Sequence, residues 1–308
     1  MSRPVVLVTA ADLAPQAVAL LEGFDVKYLG KTPSEEDVFH ACTDHQPVAI
    51  IVRYSTISKR AMAASRALRV VSKHGAGTDT IDKKAAVELG IEVRAAAGAN
   101  ADAVAEHSWA LILAAAKGIV KLDARMRGGH WDKATHKSFE LRGKTLGVVG
   151  LGAIGQRVAG IGAAFGMTVL AFDPFTQQVP PGVTLTSLQD VLSKSHVVSL
   201  NCPLTEDNRH MINRATLASM RDGAILVNTG RGGLVDDAAL IEALRSGKLR
   251  GAGLDAFTPE PLLGAHHYVD VPNTILSPHV GGVSEDAYVN MGTAAARNVL
   301  DVLRKVCA

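Results

Sequence analysis

The stretch from Thr145 to Asp173 limits what this chain can fold into more than any other part of it. An apolar run, Thr145–Val149, leads into Gly150-Leu-Gly-Ala-Ile-Gly155, a G-x-G-x-x-G pattern. A helical stretch follows, then a second strand-like run, Thr168–Phe172, and then Asp173, 23 residues after Gly150. In a strand–turn–helix unit Gly150 permits the tight turn, Gly152 lets backbone approach a pyrophosphate, and Gly155 lets helix and strand pack closely. The helix N-terminus offers free N–H groups and partial positive charge to phosphates. A carboxylate at Asp173 is placed to accept the ribose hydroxyls. A glycine-rich packing turn followed by an N-cap aspartate explains each feature separately, but not their order. The segment therefore predicts dinucleotide binding.

The same alternation runs through the whole sequence. Val5–Val8, Val48–Val52, Arg69–Val71 and Ile91–Val93 read as strands, with Leu13–Leu21, Glu35–Ala41, Lys59–Ala67 and Lys83–Leu89 as the helices between them. An alanine-rich helix is expected from about Ala101 to Arg127. A second series supplies strands at Thr145–Val149, Thr168–Phe172, Val197–Leu200, Ala224–Val227, Gly251–Leu254 and Thr274–Leu276, and a last helix at about Glu285 to Val306. Short apolar runs alternating with helices describe parallel sheets covered on both faces, an α/β architecture.

Composition removes several function classes. Lys+Arg of 32 against Asp+Glu of 30 leaves +2, too balanced for a dedicated nucleic-acid binder, and 4% aromatic residues provide no base-stacking surface. No apolar run approaches the roughly 18 residues of a membrane span. The N-terminus has no secretory pattern. Cys42, Cys202 and Cys307 lie far apart with no CxxC spacing, which excludes a disulfide scaffold and a cysteine metal site and fits a reducing cytoplasm. The 308 residues suffice for two domains of ordinary size.

Three further segments put polar residues at the C-terminal ends of strands, where open α/β sheets bind ligands. Arg231 follows the 224–227 run and is flanked by Gly230 and Gly232. It reads either as a solvated turn arginine or as a fork for a substrate carboxylate. Asp255 ends a strand, and Glu260 sits between Pro259 and Pro261, either on the surface or held inward by the stiffened loop. His279 follows Pro278 and precedes Gly281 and Gly282. A lone histidine is more often structural, but beside Glu260 it becomes a base with a raised pKa.

Taken together, these segments resemble the D-isomer-specific 2-hydroxyacid dehydrogenase family, in particular its phosphoglycerate dehydrogenase-like branch. The resemblance rests on Gly98-Ala-Asn-Ala-Asp-Ala-Val-Ala-Glu-His107, the glycine pattern at Gly150, Cys202-Pro-Leu-Thr205, Asn228-Thr-Gly-Arg-Gly232, the Glu260-Pro261 loop and Ser277-Pro-His-Val-Gly-Gly282, in that order. It covers nearly the whole chain. It implies two Rossmann- or flavodoxin-like doubly wound domains with a cleft between them. Residues 1–100 plus 284–308 would form the substrate domain, and 101–283 the NAD domain.

The resemblance also implies roles. Arg231, Glu260 and His279 are the expected catalytic residues of a hydride transfer between NAD and C2 of a small 2-hydroxy acid. NAD contacts are expected from Gly150, Gly152, Ala153, Ile154, Gly155, Asp173, Cys202, Pro203, Thr229, Gly230, Arg231, Asp255, His279, Gly281 and Gly282. Asp255 is expected near the nicotinamide carboxamide. Substrate contacts are expected from Arg53, Gly75, Ala76, Gly77, Arg231 and His279, with Lys73 and His74 either adding charge or lying in a solvated loop. Glu106 and His107 read as structural. Gly230, where the family usually carries Ala or Ser, should loosen its loop slightly.

Several readings stay open. Arg53 could hold a distal phosphate, as 3-phosphoglycerate would require, or Tyr54 could cap a pocket for an uncharged tail such as that of glyoxylate or hydroxypyruvate. Formate oxidation fits poorly, because that branch carries Gln at the position of Glu260, whereas phosphite oxidation is not excluded. An NAD-sensing corepressor-like protein is the alternative from another class. The Arg125–Arg142 stretch with Trp131 and Phe139 matches an arm exchanged in a homodimer. No regulatory segment is expected beyond Ala308, and neither a metal, nor nucleic acid, nor a membrane is expected as a partner.

Overall fold

The computed structural model describes residues 3–176 and 179–306, so Cys307 lies outside the described residues. The elements follow one another as β1 Val5–Val8, α1 Pro15–Leu20, β2 Asp25–Tyr28, α2 Glu35–His45, β3 Ala49–Val52, α3 Lys59–Ala63, β4 Val70–Lys73, α4 Lys83–Glu88 and β5 Glu92–Ala95. Then come α5 Ala101–Lys117, α6 Ile119–Arg127, β6 Thr145–Val149, α7 Ala153–Ala164, β7 Thr168–Phe172, β8 Val183–Leu185, α8 Leu188–Lys194 and β9 Val197–Leu200. The chain continues through α9 Arg214–Ser219, β10 Ala224–Asn228, α10 Asp237–Arg245, β11 Leu249–Leu254, β12 Thr274–Leu276 and α11 Glu285–Val306.

Two compact units result, one from the chain up to Asn100 together with the segment from Val283, the other Ala101–Gly282. Each contains one sheet whose strand pairs are all parallel. The first runs β2-β1-β3-β4-β5 and the second β12-β11-β10-β9-β6-β7-β8. Chain order reverses beside β1 in the first sheet and beside β6 in the second. Such reversal points open a crevice at the carboxyl ends of the strands.

In the first unit β3 is Ala-Ile-Ile-Val with every residue buried, as a strand covered on both faces requires. Helix α11 supplies part of that cover through Ala295, Ala296, Val299 and Val302, all at most 3% exposed. Ser72 Oγ donates to the Ala295 carbonyl at 3.1 Å, and Asn298 Nδ2 to that of Ala95 at 3.1 Å, which fixes the helix against β4 and β5. Helix α2 starts at a reciprocal cap between Ser34 and Asp37. In the second unit Trp109 of α5 stacks on Phe165 at 4.7 Å and donates from Nε1 to the Val158 carbonyl at 3.1 Å.

Strands β2 and β8 go beyond the sequence expectation. Both are sheet edges, Asp-Val-Lys-Tyr and Val-Thr-Leu, without a fully buried residue. In these two edges polar residues interrupt the apolar ones, so no apolar run marks them. The helix expected to run from Ala101 to Arg127 is in fact two. Gly118 takes φ +65° between α5 and α6, and the axes differ by 62°. Among the described residues no single helix is long and apolar enough to cross a membrane.

Helix propensity alone says Gly118→Ala should stabilise by about 1 kcal/mol. The left-handed φ reverses the sign, and the added methyl would also lie 3.3 Å from His136 Cε1. Gly118→Ala is therefore expected to destabilise by about 1–2 kcal/mol. A lowered urea midpoint at unchanged slope checks this.

Candidate active site

In the second unit the glycine turn, Asp173 and the chemistry-bearing loops after β9, β10, β11 and β12 gather at the carboxyl ends of the strands. Gly150 has φ +89°, and a Cβ there would meet Cys202 N at 2.8 Å. A Cβ on Gly155 would sit 1.9 Å from the Gly150 carbonyl oxygen, so backbone contact alone demands glycine. Gly152 differs. Nothing lies within 4 Å of its missing Cβ, and no side chain caps α7, which it starts. Protein packing leaves room beside Gly152 at the start of α7. A phosphate approaching backbone fits that space.

Asp173 accepts from the amides of Leu151 at 2.7 Å, Phe175 at 2.8 Å and Thr176 at 3.0 Å. Burial works against its charge, but these amide bonds prevail and hold the carboxyl below its ordinary pKa. It stays anionic beside the turn, as an acceptor for ribose hydroxyls must. Cys202 and Pro203 follow β9. Burial pushes the Cys202 thiol up to about 11, so it contributes shape rather than a thiolate.

The loop after β10 is tied down. Asn228 Oδ1 accepts from Gly230 N at 3.0 Å and its Nδ2 donates to the Arg231 carbonyl at 2.9 Å, while Thr229 Oγ1 meets Ser108 Oγ at 2.8 Å. A Cβ on Gly230 would lie 2.9 Å from the Cys202 carbonyl. The glycine permits a close approach of two loops, and the Asn228 side chain fixes the turn.

His279 Nδ1 lies 2.7 Å from Glu260 Oε2, and Glu260 Oε1 accepts from Phe257 N at 2.8 Å. The hydrogen bond and charge of Glu260 raise the His279 pKa above its ordinary value, against burial and the nearby Arg231. Burial would raise Glu260, but its bonds to His279 and Phe257 and the charges of His279 and Arg231 keep it low. The structure thus brings Arg231, Glu260 and His279 into one electrostatic group.

Asp255, 2% exposed, accepts from Ser277 Oγ at 2.6 Å, Val280 N at 2.9 Å and Gly281 N at 2.8 Å. His107 Nε2 joins at 2.8 Å from Ser277 Oγ and 3.3 Å from Asp255 Oδ1. A Cβ on Gly281 would reach Asp255 Oδ2 at 2.9 Å, so the close approach of loop and carboxylate needs glycine there. Gly282 follows as the last residue of the second unit. Asp255 thereby clamps the loop that holds His279 at φ +54°, a left-handed conformation costly for a histidine. Sequence reasoning missed Ser277 and gave His107 no partner. Ser277 sits in the quoted 277–282 motif, but a lone serine announces no bond.

In the first unit Arg53, Gly75, Ala76 and Gly77 follow β3 and β4. Gly75 has φ +145°, and its carbonyl accepts from Ala96 N at 3.0 Å. His74 is neither solvated nor charged. It is 7% exposed, and burial, with help from the charge of Arg53, pushes its pKa down to about 4. Lys73 Nζ donates to the Arg53 carbonyl at 2.6 Å.

The sequence model of the D-isomer specific 2-hydroxyacid dehydrogenase NAD binding domain matches residues 109–281. Over 302 residues the chain is 37% identical to the D-3-phosphoglycerate dehydrogenase of Mycobacterium bovis, covering 97% of this chain and 57% of that protein. Over 313 residues it is 37% identical to the glyoxylate reductase of Aeropyrum pernix, covering 97% and 93%. The chain belongs to the D-isomer specific 2-hydroxyacid dehydrogenase family. A crystal structure of the TT0316 protein from Thermus thermophilus superposes with a TM-score of 0.90 at 36% identity, over 98% of this chain and 97% of that one. The chain thus spans little more than half the length of the phosphoglycerate dehydrogenase relative. The space above Gly152, the uncapped α7 and the anionic Asp173 all fit the NAD of the family's domain.

Two glycine substitutions separate packing from cofactor contact. Gly155→Ala should destabilise by about 1–3 kcal/mol, because backbone must move. Gly152→Ala should change stability by under about 0.5 kcal/mol, as at an open site. Its NADH affinity should nevertheless fall by more than about tenfold. Thermal melts with NADH fluorescence titration check both.

Proposed function

We propose that this chain is an NAD-dependent oxidoreductase moving a hydride between nicotinamide and C2 of a small D-2-hydroxy acid or 2-keto acid. The 2.7 Å contact between His279 Nδ1 and Glu260 carries the reading, because it leaves Nε2 as the proton-transfer atom. NAD, when bound, supplies the hydride acceptor for oxidation and the donor for reduction. In oxidation neutral His279 takes the hydroxyl proton at Nε2. In reduction protonated His279 returns it to the carbonyl oxygen. Glu260 orients the imidazole and stabilises its charged form. Arg231 holds the substrate carboxylate and polarises the C2 carbonyl, where negative charge develops.

His279→Ala should lower turnover about 100-fold or more while NADH still binds. Because Glu260 raises the His279 pKa, reduction should fall as pH rises through that value and oxidation should rise through it. Glu260→Gln removes the raising charge, so both profiles should move to lower pH. Profiles that do not move would reject the pairing. A corepressor-like protein would bind NADH without turning over glyoxylate or hydroxypyruvate.

We also propose a preference for NAD(H) over NADP(H). The Asp173 carboxylate would meet the 2′-phosphate of NADP as like charge. A higher kcat/KM with NADPH than with NADH would reject it.

A homodimer and a cytoplasmic setting complete the reading. Helix α6 buries none of its residues, and Ile119, Val120, Met126 and Trp131 are 57%, 54%, 62% and 74% exposed. That apolar surface and the 125–142 arm support a second copy as the partner. Light scattering should give twice the 32.3 kDa of one chain.

A further inference from the structure

Helix α5 touches two of the loops that carry reactive side chains, and it does so through consecutive residues. His107 Nε2 lies 2.8 Å from Ser277 Oγ. Ser277 Oγ gives its one proton to Asp255 Oδ1 at 2.6 Å, so the bond from His107 runs the other way, with Nε2–H donating to the serine oxygen. The next pair is fixed in the same manner. Ser108 Oγ donates to the Val104 carbonyl at 2.8 Å, so Thr229 Oγ1 donates to Ser108 Oγ across their 2.8 Å.

Both contacts fall close to a reactive residue. Ser277 lies two residues before His279. Its N–H donates to the Leu254 carbonyl at 2.9 Å, and its own carbonyl accepts from His279 N at 3.0 Å. On the far side of His279, a Cβ on Gly281 would meet His107 Cδ2 at 3.3 Å. The His107 ring therefore braces both ends of the turn in which His279 takes φ +54°. Thr229 lies two residues before Arg231, and both Thr229 and Ser108 are buried.

We propose that His107 and Ser108 are positioning residues for the hydride-transfer site. Through one, α5 holds the imidazole of His279; through the other, it holds the loop of Arg231 and so sets the spacing of the two groups. The inference rests on the oxidoreductase reading, and every residue in it lies within Ala101–Gly282. A left-handed histidine persists only while the bonds around it over-determine its backbone. Without the His107 donor the turn loosens, His279 drifts from Glu260, and the carboxylate raises the imidazole pKa less. Asp255 and Arg231 are the other charges acting on His279, the first raising its pKa and the second lowering it. Without Ser108, the buried Thr229 hydroxyl loses its acceptor, and the Arg231 loop shifts while the His279 turn stays in place.

Reduction of glyoxylate and hydroxypyruvate by NADH, followed across pH, tests this in the native chain, His107→Phe, His107→Gln, Ser277→Ala and Ser108→Ala. The His279 ring is titrated by NMR in each. His107→Phe keeps a ring against Gly281 but has no donor. It should lower kcat about 10- to 100-fold, the scale of a misplaced catalytic group, while NADH still binds. It should also move the His279 titration and the reduction profile to lower pH. His107→Gln, whose amide can donate to Ser277, should bring both back toward native. Ser277→Ala should reproduce His107→Phe, and combining the two should cost little more, as for members of one network. Ser108→Ala should instead raise KM for both keto acids about tenfold, the scale of one weakened bond to a charged group, and leave the His279 titration unmoved. If the native chain reduces neither acid, the oxidoreductase reading fails, yet a His279 titration moved by His107→Phe and restored by His107→Gln still supports the brace. A titration that His107→Phe leaves unmoved, one that His107→Gln fails to restore, or one that Ser108→Ala shifts equally overturns the proposal, because each marks a general structural role.

Discussion

The buried carboxylate of Asp255 organises the catalytic half of this protein. A carboxylate 2% exposed is tolerable only when its oxygens are fully engaged, and here three donors and the His107 ring surround it. Two of those donors are the consecutive amides of Val280 and Gly281. Their capture fixes the turn in which His279 adopts a left-handed backbone. The imidazole then points its Nδ1 at Glu260. Strain at His279 is held by bonds a few residues away, which is how a rigid shell presents a reactive side chain.

The two sheets use their carboxyl edges in different electrostatic ways. In the second unit, a helix N-terminus without a side-chain cap, Asp173 and the group of Arg231, Glu260 and His279 gather charge at the carboxyl ends of the strands. In the first unit the basic side chains are tied into local contacts. Arg53 is paired with Asp12, His74 is neutral through burial, and Lys73 is bonded to the Arg53 carbonyl.

Much of this was legible in the chain itself. The G-x-G-x-x-G run identified β6, α7 and the acid at Asp173, because glycine there answers to local backbone geometry. Continuous apolar runs gave β1, β6, β7, β9 and β12 their boundaries to the residue. Strands β2 and β8 escaped because polar residues interrupt both, Asp-Val-Lys-Tyr and Val-Thr-Leu, and the break at Gly118 escaped because a single glycine in an alanine-rich helix also reads as tolerated. Among site residues, Arg231, Glu260 and His279 stood out by their placement after strands, with the family resemblance supplying their grouping.

What the sequence determined by itself is the repeating strand–helix order, the glycine positions and the identity of the reactive side chains, all properties read within a few residues. Tertiary structure alone decided the partners. Asp12 and Arg53 are 41 residues apart, Asp255 and His107 148, and Arg53 and Tyr288 235. Whether Arg53 is an open cation or a neutralised one, and whether His74 carries charge, depends on which groups the fold brings within hydrogen-bond reach and removes from water. Charge and pKa are set by that surrounding medium, and no local pattern encodes it.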